Sequence, residues 1–328
     1  MTFFRLVLVV VFSLLCSSYS LAQTSSSSIF RFLEVTPSAR LAGLGGNHVA
    51  LFNPTISEFY LNPAYLNPES SKSVSATFVN YLADSRTGFA NGAYHIDNLG
   101  TIGVGLRYTG YGSLSEYDEQ GTRLGDLNAG DLALTSSLST DLGPKLYAGA
   151  SVTLIHSSYH TYNSNALTAS GGVYYMNSDT DFSAGLSFRN LGDQLDFYNG
   201  FRETIPFDIS AGISKKPENF PFHLHLTLRQ LNNWELDVAG ETESPNFTEA
   251  LFRHVILGGE ASLGENVKLR FGYDRLLHEQ TKTNDSFDFA GVSMGMGFKI
   301  KSLILDMSRN SYSDIGGVVQ LSLRTQLK

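Results

Sequence analysis

Cysteine is nearly absent from the 328-residue chain: Cys16 stands alone, inside the N-terminal apolar run. A disulfide framework is therefore excluded. Charge is sparse, at 16% of residues, and it is not basic: 23 Lys plus Arg against 31 Asp plus Glu give a net charge of -8. No cationic cluster exceeds the pair Lys215 and Lys216. That excludes a basic surface for nucleic acid, and the acidic balance fits solvated loops. Tryptophan occurs once, at Trp234. Beyond residue 22 there is no stretch of about 18 apolar residues, so no helix can cross a bilayer. Yet the mean hydropathy is only -0.07. Low charge without high hydropathy fits strands that are apolar on one face and polar on the other. The 31 Gly, 22 Phe and 16 Tyr suit strands that curve and that carry rings at a membrane interface.

Signatures of chemistry are missing as well. Gly43-Leu44-Gly45-Gly46 has no following Lys-Ser/Thr and no strand-to-helix context, so it is not a phosphate loop. No Gly-x-Ser-x-Gly elbow occurs in a strand-to-helix turn. His223 and His225 share one strand face at a spacing that can hold a metal, but Thr227 and Arg229 continue that face, which makes lumen lining the better account. His156 and His160 have no Cys or carboxylate close in sequence. No catalytic, cofactor or metal residue is assigned, and the chain reads as non-enzymatic.

What is present begins at the N-terminus. Arg5 precedes the apolar run Leu6–Leu15, and Ser20-Leu21-Ala22 offers a small-x-small cleavage site. Residues 1–22 read as a signal peptide, leaving Gln23 first in the mature chain. A lipoprotein signal at Cys16 is the rival, disfavoured because Leu15 stands where a small residue is wanted. An exported chain without a spanning helix is either soluble or a barrel, and a barrel leaves no backbone group unpaired in lipid.

From residue 72 the sequence runs in period two. Val267-Lys268-Leu269-Arg270-Phe271-Gly272-Tyr273-Asp274 puts Val, Leu, Phe and Tyr on one face and Lys, Arg, Gly and Asp on the other. Phe222–Arg229, Phe182–Arg189 and Phe207–Ser214 repeat it. The polar face carries charged residues and Gly, and no helices exist to cover the apolar one, so the pattern is that of lipid outside and a polar lumen inside. Fourteen strands are expected, near 72–82, 87–97, 99–110, 129–140, 145–157, 165–176, 181–191, 206–214, 221–230, 253–263, 266–275, 287–299, 301–309 and 315–327. The fold class is all-β: a transmembrane antiparallel β-barrel over residues 72–328. Connections after even-numbered strands are short and most of the others longer, as periplasmic turns and outer loops should be. Asp131, Asp208, Asp274, Asp288 and Asp306 are expected to face the lumen and pair across strands with Arg107, Arg189, Arg229, Lys268, Arg270 and Arg324.

Residues 23–71 do not alternate. After a Ser-rich spacer come Asn53-Pro54, Asn62-Pro63 and Asn67-Pro68, which favour turns, among apolar residues such as Phe52, Phe59, Tyr60 and Leu61. The expectation is a compact plug in the lumen or against its periplasmic mouth.

Two resemblances rest on these residues. Phe59-Tyr60-Leu61-Asn62-Pro63-Ala64-Tyr65-Leu66 resembles the Asn-Pro-Ala segment in the N-terminal hatch of long-chain fatty acid transporters, which implies a plug role for Asn62, Pro63 and Ala64 and passage of hydrophobic ligands. Over nearly the whole mature chain, a second resemblance is to the PorQ family of the type IX secretion system of Bacteroidota. It is carried by Phe32–Gly46, Leu61–Pro68, Phe78–Asp84, Pro206-Phe207-Asp208 and Phe222–Leu228. What it implies is a surface anchor for a PorZ-like protein, in a complex with the barrel PorV and the sortase-like peptidase PorU that attaches cargo to anionic lipopolysaccharide. The peptidase chemistry belongs to the partner. Tyr111, Tyr117, Tyr159, Tyr162 and Trp234, in or beside the expected outer loops, are candidates for partner contact, with an interfacial aromatic girdle as the plainer account.

Overall fold

The computed structural model describes residues 29–327 except 82–83, 119, 199–201, 237, 239–240, 242–244, 284–287 and 313–315, with backbone only at 113–117, 124 and 126–127. The expected signal peptide lies outside the described residues. Fourteen antiparallel strands close into a barrel: β1 Ser73–Asn80, β2 Arg86–Ile96, β3 Gly100–Tyr117, β4 Arg123–Gly143, β5 Leu146–Tyr159, β6 Tyr162–Asn177, β7 Phe182–Asp196, β8 Asp208–Lys215, β9 Phe222–Leu228, β10 Val255–Leu263, β11 Val267–Asp274, β12 Val292–Ile300, β13 Leu303–Ser311 and β14 Gly317–Gln326. Each strand pairs with its sequence neighbours, and β1 closes on β14 from Ser73 opposite Gln326 to Asn80 opposite Val319.

The alternation sets the faces. On β14, Val319, Leu321 and Leu323 are 42%, 38% and 44% exposed, while Gln320 and Ser322 between them are buried. A soluble sheet would do the reverse. Apolar side chains exposed and polar ones buried, strand after strand, is the arrangement of a lipid-facing wall.

The wall is uneven. β3 to β7 run for 14 to 21 residues, whereas β8 to β13 have only 7 to 9. The extra length lies at the end away from the start of β1, here called the far end. This differs from the loop expected over 110–128. The β3–β4 ladder passes a bulge between Gly110 and Ser113 and continues to Tyr117 opposite Arg123. Likewise β5 and β6 leave only two residues between them at the far end. On the short side, the connection 229–254 carries helix α2 (Phe247–Arg253), and 275–291 carries α3 (Arg275–Thr281); α1 is Ala39–Gly43 in the plug. Asn246 starts α2 as a capping box with Glu249.

Residues 29–72 fill the lumen. The first described residues lie towards the far end, where Phe30, Phe32 and Leu33 pack on Ala133, Ile155 and Ala166 of the tall wall. The chain then crosses the lumen through Leu41, Leu44, Val49, Leu51, Leu61 and Tyr65, which cluster with Tyr174 of β6. Three 3-10 turns, Ile56–Glu58, Pro63–Tyr65 and Pro68–Ser70, lead to β1. Close approach requires glycine in the wall. A Cβ on Gly272 would stand 2.0 Å from the Gly45 amide nitrogen, and one on Gly185 would stand 2.0 Å from the Val49 carbonyl oxygen.

Candidate functional site

The candidate site is the seam between plug and wall. Its apex is Asn62, fully buried. Pro63 has φ preset for the first position of a turn, and Asn62 caps that turn by accepting from the Ala64 amide at 3.1 Å. The Asn62 amide also donates to two carbonyls, Val49 of the plug at 3.2 Å and Val173 of β6 at 3.1 Å. One side chain thus ties turn, plug and wall together. Pro63 and Ala64 seat against Gly149 of β5, where a Cβ would meet the Pro63 carbonyl carbon at 2.4 Å.

A charged seam lies on the opposite wall. Arg40 of α1 donates to Glu260 of β10 at 3.1 Å and to the carbonyls of Asn53 and Phe52 at 2.7 and 3.0 Å. Burial, the largest single influence, works against its charge, but the Glu260, Glu58 and Asp306 carboxylates together outweigh it and hold the Arg40 pKa above its ordinary value. Glu260 also accepts from Arg270 of β11 at 2.7 Å, and Arg270 donates to Asp306 of β13 at 2.7 Å. The chain of alternating charges crosses from plug to three strands. A buried network with every partner in place is rigid, and losing one member leaves a buried charge uncompensated. His48, also in the plug, bridges the Leu44 carbonyl at 2.9 Å and the Thr227 hydroxyl of β9 at 3.0 Å. Burial lowers its pKa to about 4; the Leu44 bond opposes the shift and Arg40 adds to it. His48 is therefore neutral at pH 7.

Of the expected cross-strand pairs, Arg189–Asp208, Arg229–Asp274 and Arg270–Asp306 form, the second a fork at 2.7 and 2.6 Å. Lys268 lies 3.8 Å from Glu260. Asp131 is different: it accepts hydrogen bonds from Tyr111 and Ser157 instead of pairing with an arginine. Asp288 accepts from the Ala290 amide at 2.9 Å within its own connection. Among the described residues, no carboxylate pairs with Arg107 or Arg324. The sequence reading missed Arg40 and Glu260. The available signal was a lone charge inside an otherwise uncharged segment, Ala39–Gly46 for one and Val255–Leu263 for the other.

The aromatic candidates do not converge. Tyr111 is half-buried and turned to Asp131. Tyr159 and Tyr162 face each other in register at the β5–β6 tip, each 47% exposed. Trp234, in the connection from β9 to β10, is stacked on His254 at 4.8 Å and on Phe247 of α2 at 5.7 Å. The side chain of Tyr117 lies outside the described residues.

No family model matches the chain, and no curated protein matches it. Solved structures do share the fold. The Pseudomonas putida toluene transporter TodX is 12% identical, with 90% of this chain and 99% of that one covered at a TM-score of 0.55. A FadL homologue from Pseudomonas aeruginosa is 13% identical, with 89% and 99% covered at 0.51. The chain has their barrel architecture. At such identity, the likeness speaks for the fold alone.

Proposed function

We propose that this chain is a non-enzymatic outer-membrane barrel, held shut by its plug, that anchors a partner at the cell surface. The far end is then the outer one, as expected where the longer connections gather. The observation that carries this reading is the state of the lumen. Two cavities between plug and wall have about 10 Å³ each, whereas even a benzene-sized ligand occupies a cavity on the order of 150 Å³. The plug is hydrogen-bonded to the wall through Asn62, Arg40 and His48, so opening would break buried bonds at several places at once. A barrel built to stay closed offers its rim, and the tall β3–β7 wall raises that rim on one side. The resemblance to the PorQ family supplies the finer form: a PorZ-like partner, with PorV and the peptidase PorU, in attachment of cargo to lipopolysaccharide.

The fold likenesses favour a second reading, passage of hydrophobic molecules such as fatty acids or monoaromatic hydrocarbons. That reading needs the plug to move. The pair Ser57 (plug) and Ser75 (β1), with hydroxyls 2.9 Å apart, tests it. A Ser57→Cys/Ser75→Cys disulfide would pin the plug in a mature chain expected to hold no other cysteine. With the bridge oxidised, an anchor still co-purifies its partners from detergent-solubilised outer membranes, identified by mass spectrometry. A transporter instead loses uptake of labelled ligand until reductant is added. Recovery of the barrel alone with bound acyl chains, and redox-dependent uptake, would replace the anchor reading by transport.

A further inference from the structure

Arg107, in the tall wall, has no acidic partner among the described residues, and it is 4% exposed. It points from β3 into the lumen between Phe89 of β2 and Ala133 of β4. One terminal nitrogen donates to the Phe32 carbonyl at 3.1 Å. Its Nε, buried, has no acceptor. The guanidinium stands 4.9 Å from the Tyr60 ring centre, 5.0 Å from Phe89 and 5.9 Å from Phe32. Ring faces and one carbonyl offer partial negative charge, but none of them cancels a full positive charge in a dry interior.

A cavity of about 10 Å³ opens beside it. Its lining includes Arg107, Arg189, Asn190, Thr135, Thr153 and Ser151. Arg189 is neutralised by Asp208, with Nε and the carboxylate at 3.0 Å. The cavity therefore carries one uncompensated positive charge, an unused N–H and a rim of hydroxyls. Its size decides what could answer that charge. There is room for a single water-sized species, and a monatomic anion, somewhat larger, needs the surrounding hydroxyl side chains to turn outward slightly. A carboxylate bearing an alkyl tail does not fit, and a water would satisfy the N–H without balancing the charge.

We propose that this cavity binds one small inorganic anion of chloride size, held by Arg107 and the surrounding hydroxyls. The site sits where Phe32 and Leu33 of the plug meet the tall wall, so the anion locks the start of the plug in place. It is independent of whether the barrel anchors or transports.

The test uses the full mature chain in detergent. Crystals grown with bromide in place of chloride should show one anomalous peak within hydrogen-bond reach of the Arg107 guanidinium. In parallel, thermal unfolding is compared in chloride and in gluconate, too large to enter, at equal ionic strength. The wild type should unfold several degrees higher in chloride, and Arg107→Met should erase the difference. Were Arg107→Met not to fold, Ser151→Leu, which fills the cavity, should remove the bromide peak. Only water beside Arg107 in bromide crystals, or equal unfolding temperatures of the wild type in the two salts, would overturn the proposal. So would a chloride effect that survives in Arg107→Met.

Discussion

Single side chains set how firmly the plug is held. Asn62 makes three buried hydrogen bonds, two of them to carbonyls that no other side chain serves among the described residues. Asn62→Leu keeps the branched heavy-atom outline, though not the volume, and removes all three. Unsatisfied buried groups cost about 1–3 kcal/mol apiece, so a loss of about 2–4 kcal/mol is expected in urea unfolding of the refolded barrel. A loss under about 0.5 kcal/mol would mean that the Val49 and Val173 carbonyls find other donors. His48 adds a pH dependence. Its folded-state pKa is lowered to about 4, against 6.5 for an ordinary histidine. Between those values the unfolded chain takes up a proton that the folded plug refuses. The stability tied to neutral His48 is complete above pH 6.5 and falls as the pH drops towards 4, at about 1.4 kcal/mol per unit. His225, with its ring 5.7 Å away, and Arg40 face the same group. The measurement is therefore the difference between wild type and His48→Gln across a pH series, which should shrink on acidification. A difference that stays constant from pH 7 to pH 4 would remove His48 from the account. At this scale the sequence was only half legible. The Asn62-Pro63-Ala64 turn could be read locally, because cap and proline act within three residues. The partners of Arg40, Glu260 and Arg107 could not, because each lies on an element that only barrel closure brings near.

At the scale of the element, the strands were readable because lipid and lumen demand opposite side chains at every second position. Fourteen strands and their order follow from that demand, and the barrel realises them. Periodicity says which face a residue takes but not how near the plug comes. Glycine in strands suits curvature in general, yet in the barrel Gly272 and Gly185 are where plug backbone touches wall backbone. Gly272→Val separates the two roles. Its ladder neighbours are Gly258 and Ser293, so the strand has room in the sheet, and valine is the better strand former. A Cβ there meets the Gly45 nitrogen and the Leu44 carbonyl carbon at 2.0 Å, which flexible side chains cannot relieve. The variant should keep the heat-resistant compact form of a closed barrel on unboiled gels. Its plug should become open to protease, and its conductance in planar bilayers should rise. Unchanged protection would show that the plug has another seat.

For the whole molecule, the uneven wall is the feature that no local pattern announced. A strand of about nine residues, tilted near 45°, rises roughly 20 Å, close to the apolar band of an outer membrane, whereas one of about 21 rises roughly 50 Å. β10 and β13 match the first figure and β4 the second. The β3–β4 hairpin thus stands well clear of the lipid, and what was expected as a loop is a hydrogen-bonded arm. A hydrogen-bonded arm suits docking, since less conformational entropy is lost when it is covered than when a loop is ordered. The anchor reading makes this arm a testable part. Residues 111–129 can be replaced by Asn-Gly, a two-residue turn that closes the ladder at Gly110 opposite Gly130. Asp131 loses Tyr111 but keeps Ser157, and the plug contacts of Arg107 lie below the cut. The shortened barrel should fold, insert and stay closed. Its partner should vanish from pull-downs, or fall at least tenfold in recovery, which corresponds to about 1.4 kcal/mol of lost binding. Should the partner persist, the same replacement moves to 231–252, where Trp234, Phe247 and α2 stand on the low wall. Capture that survives both replacements would take the anchoring surface away from the rim and, with it, the reason for a tall wall.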